Sequence, residues 1–252
     1  MKIALIGYGK MGKLIETVAA AKGHTVVGRV NQTNRMSKQT IGDADVCIDF
    51  SHPDSLVNNL QGCASLGKNV VIGTTGWDNN KQLVENIIRE HNIGCIYAAN
   101  FSIGVNLFMH IVANAAKLID SFDDYDVAGI EYHHKHKVDS PSGTAKYLTE
   151  VLLKNAPRKK RCDFSSVRCG SIPGIHTIVF DSPADTITLT HEARSREGFA
   201  KGAVAAAEWI RGKRGLFTIE DLLGIATVSQ LPQAISRKER KGASAKNAKK
   251  GH

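Results

Sequence analysis

The stretch KIALIGYGKMG near the amino terminus constrains this chain more than any other. A short apolar run, Ile3 to Ile6, reads as a buried strand, and Gly7, Gly9 and Gly12 follow it in G-x-G-x-x-G spacing. Leu14, Ile15, Val18 and Ala21 then recur at three- and four-residue steps, which places them on one face of a helix. A second strand, His24 to Val30, completes the unit. Each glycine has a physical task in such a unit. Gly7 permits the tight turn, Gly9 lets backbone approach a pyrophosphate, and Gly12 lets helix and strand pack closely. The helix amino terminus offers its free N–H groups to the phosphates. A glycine turn without a ligand is the competing reading, and the flanking strand and helix weigh against it.

The acid that normally ends the second strand and binds the adenosine ribose is missing, because the chain runs Arg29-Val30-Asn31-Gln32. Asn31 can hydrogen-bond a ribose without repelling a 2′-phosphate, and Arg29, Arg35 or Lys38 could contact that phosphate. NADPH is therefore expected to serve at least as well as NADH, unless these cations are only a solvated loop.

Strands are expected at Val46 to Phe50, Asn69 to Ile72 and Cys95 to Ala98, separated by helices over 54–66 and 78–91. Only about fifteen residues separate the second strand from VCIDF, so one strand-helix excursion is expected to be absent. Each strand ends in a small or polar loop, SHP at 51–53, GTTG at 73–76 and ANFS at 99–102. Such carboxyl ends are where open parallel sheets bind ligands.

The formal net charge of +9 first suggests nucleic acid, but its distribution does not. Seven Lys/Arg against one Glu place about +6 between Ser229 and His252, in a stretch rich in Ala, Gly and Ser. That segment is expected to be a basic disordered tail, so no specific nucleic-acid partner is expected. The five cysteines form no C-x-x-C pair, which fits reduced thiols better than a disulfide framework. No signal peptide and no membrane-length apolar run are evident, so a cytoplasmic location is expected.

A second feature lies at EYHHKHKVDSPSGTA, residues 131–145. Val127 to Tyr132 has strand character, and the histidine-lysine cluster sits at its end. If the extended conformation persists, His133, Lys135 and Lys137 share one face while His134 and His136 share the other. Asp139 or Ser140 is then expected to cap a helix with Pro141 at its first position, and Leu148, Val151 and Leu152 form its buried stripe. Exposed N–H groups around Ser142, Gly143 and Thr144 would grip a carboxylate. Three readings compete. A metal site on His133, His134 and His136 would suffer repulsion from Lys135 and Lys137 and lacks a carboxylate or thiolate at motif spacing. A solvated basic loop is the second. The third is an enzyme site for a small dianion, with an imidazole supplying a proton near its working pKa.

The run Glu131 through Thr144 resembles the signature E-x-H-H-x-x-K-x-D-x-P-S-G-T of the dihydrodipicolinate reductase family. The resemblance extends to GYGKMG at 7–12, DFSHP at 49–53, GTTGW at 73–77, ANFSIGVN at 99–106, RCGSIPGIHTIVF at 168–180 and SREGFAKGAV at 195–204. It implies NADPH- or NADH-dependent reduction of the dehydrated form of 4-hydroxy-tetrahydrodipicolinate to tetrahydrodipicolinate. By the same resemblance, His133 protonates substrate and Lys137 assists protonation and holds substrate. His134, Ser142, Gly143 and Thr144 would bind its carboxylates. Gly7, Gly9, Lys10, Met11 and Gly12 would meet the pyrophosphate, while the chain departs from the family pattern at Asn31, which stands where an acid usually binds the ribose. Gly73, Thr75, Ala99, Asn100 and Phe101 would line the nicotinamide side, and Arg196 and Phe199 would lie near the cofactor. No metal is implied.

The expected fold class is α/β, a Rossmann-like dinucleotide-binding domain plus an α+β substrate and oligomerisation domain with a mixed sheet. The expected domains are 1–104 with 196–228, then 105–195, with 229–252 as the tail. Strands at 127–133, 165–169, 175–180 and 186–193 belong to the second domain. The resemblance implies a homotetramer and closure of the domains on substrate. A different small acid as substrate, or a regulatory role in binding nucleic acid through the tail, are the rival readings.

Overall fold

The computed structural model describes residues 1–225, so the tail expectation and the end of the 196–228 segment lie outside the described residues. The chain divides into two compact units, and the first comprises Met1–Leu107 with the segment returning from Ala193. It begins with β1 (Lys2–Ile6), α1 (Lys10–Ala21), β2 (Thr25–Val30), α2 (Lys38–Ile41), β3 (Val46–Asp49) and α3 (Pro53–Ser65). Next come β4 (Asn69–Ile72), a 3₁₀ turn (Asp78–Asn80), α4 (Lys81–Glu90) and β5 (Gly94–Tyr97), and α5 (Ile103–Ile119) leads out of the unit.

The second unit, Phe108–Glu192, holds β6 (Asp126–His133), α6 (Gly143–Asn155), β7 (Asp163–Arg168), β8 (Ile175–Asp181) and β9 (Thr186–Glu192). The chain then returns with α7 (Glu197–Trp209), β10 (Gly215–Thr218) and α8 (Ile219–Leu223).

In the first unit six parallel strands run in the order β10-β5-β4-β3-β1-β2. The strands β3 and β4 are buried along their whole length, as a parallel sheet covered on both faces requires. Ile3, Leu5, Val46 and Ile48 pack on one face with Ile15, Val18, Ala203 and Ala207, whereas Ala4, Ile6, Cys47 and Val70 pack on the other with Leu56, Leu60 and Ile87. Only the short α2 joins β2 to β3, so β2 is the sheet edge and no further strand-helix excursion intervenes, as the short spacing leads one to expect. The chain leaves β1 to one side for β2 and comes back on the other for β3. That reversal is a topological switch point, where such sheets bind ligands.

The second unit has a mixed four-stranded sheet in the order β7-β6-β8-β9, with β6 parallel to β7 and antiparallel to β8. Burial alternates along β6 and β8, so one face of each is covered. Register sets what that covered face carries. Glu131 pairs with Ser166 on one side and His176 on the other, while His133 pairs with Arg168. All five cysteines are free thiols.

Close packing of α7 depends on Gly202, where an added Cβ would lie 1.7 Å from the Phe101 carbonyl oxygen. Gly202→Ala should therefore destabilise the protein by about 1–3 kcal/mol through overpacking, read as a lower urea midpoint with an unchanged slope.

Candidate functional site

In the first unit the site begins at Gly7, whose φ of +87° favours glycine and whose N–H donates to Val30 O at 3.0 Å. A Cβ on Gly7 would meet Phe50 O at 2.2 Å, and one on Gly12 would meet Gly7 O at 2.4 Å. Gly9 is different. Its Cβ direction has nothing within 4 Å, which is the open approach a pyrophosphate needs. Gly9 is also the N-cap of α1, where no side chain caps the helix and the first turn carries no acid. The N–H groups opening α1 at Lys10 and Met11 are thus available to an anion. A cavity of about 630 Å³ adjoins this turn, lined by Gly7, Tyr8, Gly9, Asn31, Ser51 and Asn59 among others. These residues fit a dinucleotide.

Asn31 Oδ1 accepts from Thr33 N at 2.9 Å and Asn34 N at 2.7 Å, which fixes the loop after β2, and the exposed Asn31 lines the cavity. Arg29 departs from expectation. Its guanidinium is paired with Glu16 and lies 5.6 Å from the Tyr8 ring centroid, so it is committed within the unit. That leaves the exposed Arg35 and Lys38 as the cations considered for a 2′-phosphate.

The loops after β3 and β4 are joined by Asp49, which is buried and accepts from Ser51 N, Ser51 Oγ, Asn59 Nδ2 and Thr74 Oγ1. Burial pushes its pKa up, and those hydrogen bonds oppose the shift. Gly73 is required beside it, since a Cβ there would lie 2.2 Å from the Phe50 ring. Thr75 and Ala99 are exposed, and Asn100 Oδ1 accepts from Ser102 N at 2.8 Å. Phe101 is only 1% exposed, so its ring belongs to the core and only its backbone can serve a ligand.

In the second unit the strand ends at His133 rather than continuing, and the expected two-faced array of histidines and lysines does not form. The chain turns instead, with Lys137 N donating to His134 O at 3.1 Å. The helix also starts later than its sequence suggests. Ser142 is the N-cap, its hydroxyl accepting from Ala145 N at 3.1 Å, so neither Asp139 nor Ser140 caps and Pro141 lies outside the helix. The Ser142 cap outcompetes the earlier candidates because Glu131 Oε1 also accepts its N–H at 2.9 Å, fixing its backbone.

Glu131 is fully buried, and its Oε1 also accepts from Ser166 Oγ at 2.7 Å and Arg168 Nη2 at 2.9 Å. Burial pushes the carboxyl upward, but the donors from Ser142, Ser166 and Arg168 outweigh it and hold the pKa at about 2. The other oxygen, Oε2, lies 3.4 Å from His133 Nδ1 and 3.5 Å from His176 Nε2. Burial lowers the pKa of His133; Glu131 opposes that, and Lys137 and Arg168 add to it. His176 is pushed down to about 4, chiefly by burial and then by His133, whose ring is 5.1 Å away.

Lys137 Nζ is paired with Asp139 Oδ1 at 2.7 Å, and Asp139 Oδ2 accepts from Gly143 N at 3.3 Å. The lysine and the start of α6 are thereby brought together, with Thr144 in the first turn and Gly143 facing open space. His134 is half-buried, and its ring lies 6.3 Å from that of the exposed His136. The histidine metal set of the sequence is thus not assembled. Glu131, His133 and His176 do converge within 4.8 Å, but Arg168 already neutralises that carboxylate. The arrangement suits proton transfer beside an anion site. Sequence reasoning gave no role to Glu131, Arg168 or His176. A lone histidine and arginine in RCGSIPGIHTIVF were the available signal, and only register joins them to His133.

Because folding disfavours the charged form of His176, stability should be complete above about pH 6.5 and fall as pH drops through about 4. The acid limb of thermal stability should flatten over that window in His176→Gln, measured by melting temperature against pH.

Residues 1–101 match the family profile described as Dihydrodipicolinate reductase, N-terminus, and residues 104–223 match Dihydrodipicolinate reductase, C-terminus. The chain is 37% identical over 233 residues to the 4-hydroxy-tetrahydrodipicolinate reductase of Christiangramia forsetii, covering 88% of this chain and 98% of that one. The enzyme of the same name from Neisseria meningitidis serogroup B is 39% identical over 203 residues, covering 73% and 74%. A dipicolinate-bound dihydrodipicolinate reductase from Paenisporosarcina sp. TG-14 has a similar fold, with a TM-score of 0.75 at 22% identity over 86% of this chain and 97% of that one. With both of its units matched in order, this chain belongs to the dihydrodipicolinate reductase family.

Proposed function

We propose that this chain catalyses the NAD(P)H-dependent reduction of the dehydrated form of 4-hydroxy-tetrahydrodipicolinate to tetrahydrodipicolinate, in lysine and diaminopimelate biosynthesis. The observation that carries this reading is the buried His133 in the same unit as an anion site built from Lys137 and the start of α6. The dipicolinate held by the Paenisporosarcina relative is a small aromatic dicarboxylate, which supports a dianionic substrate here.

Bound reduced nicotinamide supplies the hydride. His133 gives the proton to ring C3, directly or through a water, and its buried position keeps bulk water from competing. Lys137 and the N–H groups of Gly143 and Thr144 hold the carboxylates, with His134 beside them. Ser142 contributes through its cap, since its hydroxyl is engaged by Ala145 N and His176 Nε2. Gly7, Gly9, Lys10, Met11 and Gly12 seat the pyrophosphate, and Asn31 meets the ribose. Gly73, Thr75, Ala99, Asn100 and the Phe101 backbone line the nicotinamide side. In this reading NADPH serves at least as well as NADH, and the enzyme works in the cytoplasm as a homotetramer. No helix among the described residues is long and apolar enough to cross a membrane.

The direct test is NADPH and NADH oxidation at 340 nm, with substrate generated in place by the upstream synthase from pyruvate and aspartate semialdehyde. Synthase-dependent oxidation is expected, and its absence from folded protein that binds NADPH would overturn the substrate assignment. Lys137→Ala should weaken substrate affinity and turnover together, with a loss of roughly 10-fold or more in kcat/KM. Asn31→Asp preserves the acceptor that orders the loop but adds a negative charge. It should shift the NADPH:NADH ratio of kcat/KM toward NADH by roughly 10-fold, as like-charge repulsion of a 2′-phosphate requires.

A further inference from the structure

Two buried polar atoms face each other without a hydrogen-bond partner, Glu131 Oε2 and His133 Nδ1, 3.4 Å apart. The separation is long for a full hydrogen bond, yet Oε2 is the nearest carboxylate oxygen to that ring. Its twin, Oε1, is saturated by Ser142 N, Ser166 Oγ and Arg168 Nη2, which pin the carboxylate in place. The opposite ring nitrogen, Nε2, lies beside Gly174, where even a Cβ would come within 3.1 Å. One nitrogen therefore faces a fixed anion, while the other faces a residue with no side chain to cover it.

We propose that Glu131 is the positioning residue for His133: its Oε2 accepts the Nδ1 proton of the imidazole, so the ring exchanges its other proton through Nε2. The proposal deepens the reductase reading and rests on it for its catalytic consequence. In the proton-transfer step the Nε2–H bond breaks as the substrate C–H bond forms. The electron pair stays on Nε2, and a reduced nicotinamide, when bound, would supply the hydride that balances the reduction. The ring left behind is neutral with its proton on Nδ1, the tautomer that Glu131 selects, and solvent restores the proton to Nε2.

The charged and titratable groups around the ring come from four segments. Glu131 on β6 favours the imidazolium, as does Asp139 in the following loop. Lys137 in that loop and Arg168 on β7 oppose it. His176 on β8 is neutral near neutral pH, with its Nε2 3.2 Å from Ser142 Oγ, so it competes weakly for Oε2. Removing the Glu131 charge should thus leave the cations dominant and lower the proton affinity of His133. A groove-filling carboxylate with no effect on the ring would leave that affinity unmoved.

The experiment is ¹⁵N–¹H correlation of the histidine rings in the full chain without cofactor, followed through a pH titration, for wild type and Glu131→Gln. Wild-type His133 should be the Nδ1–H tautomer when neutral. In Glu131→Gln the side-chain amide donates to Nδ1, so the tautomer should switch to Nε2–H and the ring should titrate about 1 unit lower or more. In the coupled assay, kcat should fall roughly 10–100-fold with the KM for NADPH unchanged, and the alkaline limb of the pH–rate profile should move down by the same shift as the ring. An Nε2–H tautomer in the wild type, or an unmoved titration in the variant, would overturn the proposal. If Glu131→Gln does not fold, the wild-type tautomer decides alone. The ring measurement needs no substrate, so inactive wild type with an Nδ1–H ring would remove the substrate reading while leaving the Glu131–His133 pair in place.

Discussion

Three donors from two segments converge on one oxygen of the buried Glu131: the amide of Ser142 at the head of α6, and the hydroxyl of Ser166 and the guanidinium of Arg168, both on β7. An ionised carboxylate without such partners could not remain in the interior, because its desolvation would exceed any packing gain. The same three bonds fix where α6 begins and how β7 lies against β6. Strand register supplies the geometry. Glu131, Ser166 and His176 are direct neighbours across the sheet, and a one-residue slip of β6 would turn Glu131 to the opposite face, away from both.

The first unit solves a similar problem with Asp49. Four donors surround this carboxylate, and they tie the loop after β3 to the one after β4. Both loops rise from the carboxyl ends of neighbouring strands, beside the glycine turn that follows β1. Phe50 then acts from two sides. Its carbonyl excludes a side chain at Gly7, and its ring excludes one at Gly73. The apolar strands make the sheet, but these polar ties give its upper edge a fixed shape.

The parallel sheet was legible because buried strands such as NVVI and VCID carry three consecutive apolar residues each, and amphipathic helices with their own period separate them. The glycine turn was legible because each of its residues answers a distinct steric need. The second unit was harder to read. Its strands announce themselves by alternation, but the contacts that matter join positions 131, 168 and 176, which sequence spacing does not relate. The start of α6 was misplaced for a related reason. Asp139, Ser140 and Ser142 are all acceptable caps by local chemistry, and a distant carboxylate chose among them. Arg29 illustrates the reverse error, a cation that reads as available for a ligand until its partner Glu16 is seen.

Asp139 gives the proposed anion site a character of its own. With one oxygen on Lys137 and the other on the Gly143 amide, it already occupies both donors with a carboxylate from the chain itself. Any incoming anion must therefore exchange with a tethered one rather than settle onto bare charge. Exchange of like for like releases little electrostatic energy, which handicaps small single anions such as phosphate or acetate. A ligand with a second acidic group, able to reach contacts that Asp139 does not fill, keeps its advantage. Without a ligand, Asp139 itself pairs with Lys137, so the ammonium is not left without a counter-ion.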